Sequence, residues 1–183
     1  ILSGQETTGV SIMILVEAMD EGPPLGYGGY EPSGKENSTQ LTSALIKLSN
    51  ALLQHDVPRL ISGDAKSGVP QSVTKRAVSY ARKPTKQAGI LDFTKTAKEL
   101  EAEVRAFIEW PKSRTEIAGK DVVITKASVD ETRAGELGSV FKTEDKKIGI
   151  QTIKGAFIIE ELKPAGKKEM PASAFLAGYG NKL

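Results

Sequence analysis

Between Asp121 and Leu162 the chain breaks into four short β-rich pieces: Asp121–Ala127, Gly138–Phe141, Lys147–Thr152 and Ala156–Leu162. Turn signals separate them at Glu144-Asp145-Lys146 and Lys154-Gly155, and Ala118-Gly119-Lys120 opens the series. Short strands at regular spacing predict a small closed or half-closed β-barrel. A helical pattern precedes them, beginning at Thr94 or Thr96. Its apolar face is Ala97, Leu100, Val104 and Phe107, and Pro111 is expected to end it. A short final helix from about Pro171 to Leu176 closes the chain.

The first third reads differently. Residues 9–16, GVSIMILV, are β-branched and apolar, the pattern of a buried strand in a larger sheet. A loop with Gly22, Pro23 and Pro24 follows, then a short strand within Leu25–Pro32. Ser38 or Thr39 can cap a helix whose stripe is Leu41, Ala44, Leu45, Leu48, Leu52 and Leu53. Pro58 ends, kinks or restarts that helix, and Gly63 stops it. One strand, one carboxylate-bearing loop and one helix are the end of an α/β domain, too little to bury a core alone. Residues 64–93 hold no steady period and read as an interdomain linker, with Val73, Val78 and Tyr80 packed in part onto a domain. The expected division is 1–64, a basic linker 65–93, and a barrel domain 94–183.

The 183 residues are 39% hydrophobic and 26% charged, ordinary for a soluble globular protein. No apolar run approaches the roughly 18 residues of a membrane span, so no membrane partner is expected. The absence of cysteine excludes disulfides, thiolate zinc sites and cysteine nucleophiles, and fits a reducing compartment without demanding one. Net charge is only +2, but Ala65–Pro84 carries Lys66, Lys75, Arg76, Arg82 and Lys83 with no acid. Such a stretch is either a solvated linker or an attractor of phosphates. The chain opens on Ile1-Leu2-Ser3-Gly4, so its true start is expected upstream.

Asp20, in the loop that follows the apolar strand, is placed where ligand sites of open α/β sheets lie. It could orient a base, position a water or bind a cation, or it could simply support a turn; Glu17 and Glu21 are rivals. His55, the only histidine, lies beside Asp56 without a nucleophile or metal cluster and reads as a surface or helix-capping residue. Gly26-Tyr27-Gly28-Gly29 lacks the spacing of a phosphate loop and reads as a flexible turn. Trp110 reads as a packing anchor rather than a base-stacking platform. Lys163, Lys167 and Lys168 flank Pro164-Ala165-Gly166, a loop suited equally to RNA backbone or to plain solvation.

Four segments in order resemble the methionyl-tRNA formyltransferase family: ILSGQETTGVSIMILVEAMDEGPPL from Ile1 to Leu25, RAFIEWP at 105–111, IAGKDVVITKA at 117–127 and KPAGKKEMPASAFL at 163–176. The resemblance implies the tail of a Rossmann-like formyltransferase domain followed by a linker and an OB-like β-barrel, an α/β part joined to a β-rich part. It implies transfer of a formyl group from 10-formyltetrahydrofolate to the amino group of methionine on initiator methionyl-tRNA. Asp20 matches the superfamily's catalytic aspartate, whose Asn and His partners belong to an upstream N-x-H segment. These residues alone are therefore expected to transfer no formyl group. Lys75, Arg76, Arg82, Lys83, Lys167 and Lys168 become the candidate tRNA contacts. A monomer in the bacterial cytoplasm is expected, with mitochondrion and plastid left open. RAFIEWP departs from the family by Ile108-Glu109 in place of Asn-Pro, and the loop carries Pro23 where Asp is usual. Other folate-dependent formyltransferases, acting on sugar nucleotides or glycinamide ribonucleotide, share the first domain, and a non-catalytic RNA-binding module is the third reading.

Overall fold

The computed structural model describes residues 1–64, 71 and 80–183, the Lys182 side chain excepted. The chain divides into two compact units, Gln5–Arg82 and Lys83–Leu183, the latter taking in Ile1–Gly4.

In the second unit six strands form one antiparallel sheet: β3 Ser113–Ile117, β4 Lys120–Asp130, β5 Val140–Lys142, β6 Ile148–Gln151, β7 Ala156–Pro164 and β8 Met170–Pro171. The order is β3-β4-β7-β6-β5, with β8 paired to β7. The path is open at β3 and β5 among the described residues, so the sheet is a curled half-barrel, the half-closed form of the expectation. Alternate residues of the strands point inward. Ile117, Val122, Ile124, Ile148, Ile150, Phe157, Ile159 and Leu162 make the core with Leu100 and Val104 of helix α2 (Ala97–Ala106) and Phe175 of helix α3 (Ala172–Tyr179). Helix α2 begins in a reciprocal capping box between Thr96 and Glu99. It stops at Ala106, before Pro111, with Phe107 buried as its C-cap. Strand β3 is the element the sequence hides: Ser113-Arg114-Thr115-Glu116 looks polar, yet Ser113 and Ile117 face the core.

Two local devices shape the sheet. Between Ile124 and Lys126 the β4–β7 register shifts, leaving Thr125 as the extra residue of a bulge. On β5–β6, Phe141 lies opposite Gly149, and its ring occupies the space a Cβ there would need. The Arg133 guanidinium sits 3.7 Å from the centre of the same ring.

In the first unit, β1 (Thr8–Met13) and β2 (Pro24–Tyr30) form a two-stranded antiparallel sheet, followed by the 25-residue helix α1 (Ser38–Ser62). Helix α1 packs on both strands. It lies so close to β2 that a Cβ on Gly28 would fall 2.7 Å from Leu48 Cδ1. The expectation of a buried strand is corrected here: Val10, Ile12 and Met13 are half-buried, and Leu15 is 90% exposed. A ribbon with one helix on it covers one face only. The cap is Asn37 rather than Ser38 or Thr39, because its side chain accepts from Gln40 N while Asn37 N donates to Gln40 Oε1. Pro58 does not end the helix, which runs to Ser62 and stops at left-handed Gly63.

Before α1, Glu36 accepts from Ser33 N at 2.9 Å and from the Tyr30 hydroxyl at 3.3 Å. Bonds from backbone N–H groups, that of Ser33 foremost, hold its carboxyl at about 2, below its ordinary 4.5. A depressed folded pKa gives stability that is present above the ordinary value and lost as pH falls toward the folded one. The local unfolding of this loop is therefore expected to grow between pH 4.5 and about 2 in the native chain. A Glu36→Gln chain should lack that acid limb; amide exchange of Ser33 measured across the window checks it.

Candidate functional sites: the Asp20 loop and a basic turn

The loop from Ile14 to Pro23 leaves β1 and returns into β2. Ile14 N donates to Pro23 O at 3.0 Å, closing its base. Gly22 is buried against the Ile14 carbonyl, which a Cβ at that position would overlap. Gln71 Nε2 donates to the carbonyl oxygens of Asp20 and Gly22, at 2.8 Å each. Asp20 itself is exposed and adopts φ 60°, in the left-handed region that aspartate enters more readily than most non-glycine residues. The loop is thus fixed through its backbone, and the Asp20 carboxylate is presented to solvent. The rivals Glu17 and Glu21 are exposed as well.

The basic candidates are spread over three places. Lys75 and Arg76 lie outside the described residues. Arg82 and Lys83 are exposed in irregular chain at the boundary of the two units. Lys167 and Lys168 are exposed in the turn between β7 and β8, where Lys167 N donates to Pro164 O, Ala165 N donates to Asp121 O, and Gly166 takes φ 71°. Lys163, at the end of β7, adds a third exposed cation beside this turn.

The remaining singled-out residues resolve simply. His55 is exposed on α1 with Nδ1 2.8 Å from Asp56 Oδ1, and the helix continues past it. Gly26 to Gly29 belong to β2 rather than to a flexible turn, because Gly26 and Gly28 admit α1 against the strand. Trp110 is 56% exposed beside a cis bond to buried Pro111, which corrects the packing-anchor reading. No cluster of three or more metal-ligating side chains occurs among the described residues.

Residues 83–180, the second unit almost end to end, match the family described as formyl transferase, C-terminal domain. The chain belongs to that family. Along its whole length it is similar to methionyl-tRNA formyltransferases: 34% identical to that of Myxococcus xanthus over 98% of the chain and 56% of the relative, and 31% identical to that of Bacillus licheniformis over 98% and 57%. The chain thus spans about half the length of the curated relatives it matches. Among solved structures, HypX from Aquifex aeolicus superposes with a TM-score of 0.72 at 18% identity, over 98% of this chain and 32% of that one. WlaRD, a sugar 3N-formyl transferase, superposes at 0.64 and 17% identity, over 91% and 58%. These superpositions bear on the fold of this formyl transferase family member. HypX has also been solved in complex with tetrahydrofolic acid.

Proposed function

We propose that the chain is the later part of a methionyl-tRNA formyltransferase, which with the half preceding it formylates initiator methionyl-tRNA from 10-formyltetrahydrofolate. The observation that carries this reading is similarity to methionyl-tRNA formyltransferases over 98–100% of the chain at 29–34% identity. The methionine amine attacks the formyl carbon, the bond from that carbon to the folate nitrogen breaks, and the amine proton ends on the departing tetrahydrofolate. Asp20 is the catalytic aspartate. Its exposed carboxylate, on a loop fixed by Gln71 and Gly22, holds a water and the upstream histidine in the protonation state that takes the amine proton. The upstream asparagine polarises the formyl oxygen as charge develops on it.

The half-barrel is the OB-like, tRNA-binding part of this monomeric bacterial cytoplasmic enzyme. Arg82, Lys83, Lys167 and Lys168 are exposed cations on it and at its border, and Lys75 and Arg76 extend the set along the linker. They track phosphates, which needs accessible charge rather than a shaped pocket.

Binding of initiator tRNA by the 183-residue chain, followed at several salt concentrations, tests this. The log affinity should fall linearly with log salt. Alanine at all six cations should make the slope shallower by about one unit for each phosphate contact removed. Equal slopes for the two proteins would sink the assignment of these residues. Transfer by the complete enzyme to a sugar nucleotide, with none to methionyl-tRNA, would replace the substrate.

A further inference from the structure

The half-barrel carries a groove of about 610 Å³ on the outer face of β3, β4 and β7, away from the core. It falls within the usual size of small-molecule sites. Register builds its floor: Arg114, Val123 and Lys163 are successive cross-strand partners, and Glu116 pairs with Asp121 next to them. The segment before α2 supplies a wall. Ile90 bridges to Arg114 and Leu91 N donates to Arg114 O at 2.9 Å. Gly89 approaches the Lys112 carbonyl so closely that a Cβ would overlap it.

Two polar groups lining the groove are unaccounted for. Arg114 Nε and Thr125 Oγ1 are both buried and have no hydrogen-bond partner in the protein. Thr125 is the residue the β4 bulge inserts, the kind of device that re-aims a side chain. Buried donors of this kind are normally satisfied, so an orphaned pair in one groove points to a ligand that satisfies them. A guanidinium and a hydroxyl, with Lys163 in the same row, are donors for an oxyanion. Beside them stand apolar surfaces, Val123 and the 58% exposed Ile90. Beyond them Glu116 and Asp121 offer acceptors. Arg114 and Glu116 are two residues apart on one strand, roughly 7 Å. Cationic and anionic side chains therefore stand along one row of the groove, a donor end and an acceptor end.

We propose that this groove binds a ribonucleoside 5′-phosphate: phosphate on Arg114, Thr125 and Lys163 over Val123, ribose hydroxyls on Glu116 or Asp121, base against Ile90. The ligand is either a free nucleotide or one nucleotide turned out of an RNA chain. The assignment stands on the groove's own residues, and its failure leaves the methionyl-tRNA reading intact.

The experiment is titration of the 183-residue chain with AMP, with adenosine, with 2′,3′-dideoxy-AMP and with a short single-stranded oligoribonucleotide, followed by calorimetry and by amide shifts of β3 and β4. AMP should bind saturably and more tightly than either adenosine or the dideoxy analogue. Arg114→Gln should weaken AMP at least about tenfold, as expected for loss of a charge-assisted bond. Lys163→Ala, at an exposed position that leaves the fold intact, should weaken it in the same direction, and Glu116→Gln should narrow the gap between AMP and its dideoxy analogue. Binding of AMP alone names a free nucleotide; binding of the oligomer through the same residues names an RNA nucleotide. Binding of neither, or binding untouched by both Arg114→Gln and Lys163→Ala, overturns the site.

Discussion

Phe157→Ala is expected to cost the half-barrel about 3–5 kcal/mol, the range for deleting a fully buried aromatic side chain. Phe157 has no exposed surface and stands near the start of β7, between its partners Val129 on β4 and Ile150 on β6. Its ring lies 6.4 Å from that of Phe93, so alanine removes an aromatic pair as well as the packing. Neighbours held by strand pairing on both sides cannot collapse into the hole, which places the cost toward the upper end. A domain near 100 residues loses about 4–8 °C of melting temperature per kcal/mol, so the midpoint should drop by roughly 12–40 °C. Trp110, the only tryptophan, lies in this unit and reports its unfolding by fluorescence. Ile46→Ala, at an exposed position of α1, is the comparison and should leave that transition within about 0.5 kcal/mol. A loss below about 1 kcal/mol for Phe157→Ala would mean that β7 is not the centre of this core.

What makes the core legible in the sequence is period. Ala97, Leu100, Val104 and Phe107 recur at helical spacing, and all four are buried, the first three in the core under the sheet. The β6 and β7 pieces are legible for the same reason, being short apolar runs bounded by turns. β3 is not, because its inward positions carry Ser113 and Thr115 beside Ile117, and a strand whose buried face is partly hydroxyl shows no apolar alternation. The cap of α1 differs by one residue from the expectation because three polar residues in a row, Asn37, Ser38 and Thr39, all qualify; only the bond from Asn37 N to Gln40 Oε1 selects Asn37. Apolar content misleads at GVSIMILV, where Leu15 and Val16 are exposed. The groove is illegible in principle. Arg114, Val123 and Lys163 are scattered along the chain and meet only through two strand registers, and Thr125 stands two residues beyond Val123 on the same strand. At Asp20 the residues leave both a turn and a catalytic carboxylate open, and the catalytic reading comes from the family resemblance. What the structure adds there is a backbone fixed independently of the carboxylate.

That independence makes Asp20→Asn a clean test of the proposed chemistry. In the full-length methionyl-tRNA formyltransferase proposed above, kcat for formyl transfer is expected to fall about 10²–10⁴-fold, the contribution of a positioned proton-transfer group. KM for methionyl-tRNA should hold, because asparagine is isosteric with aspartate and the proposed tRNA contacts lie on other residues. The loop should hold too. Asparagine tolerates the positive φ found at this position, and the Gln71 bonds go to carbonyl oxygens that the substitution does not touch. Gly22→Ala is the contrasting variant. Its Cβ would overlap the Ile14 carbonyl, so it should displace the loop and disturb substrate binding and rate together. The 183-residue chain by itself is expected to transfer no formyl group, since its only histidine, His55, sits on α1 paired to Asp56. An Asp20→Asn enzyme that keeps its full rate would remove Asp20 from the chemistry and pass the role to a rival carboxylate. A fall in kcat with KM unchanged, and a pH profile that loses one limb, would place the carboxylate in the proton transfer itself.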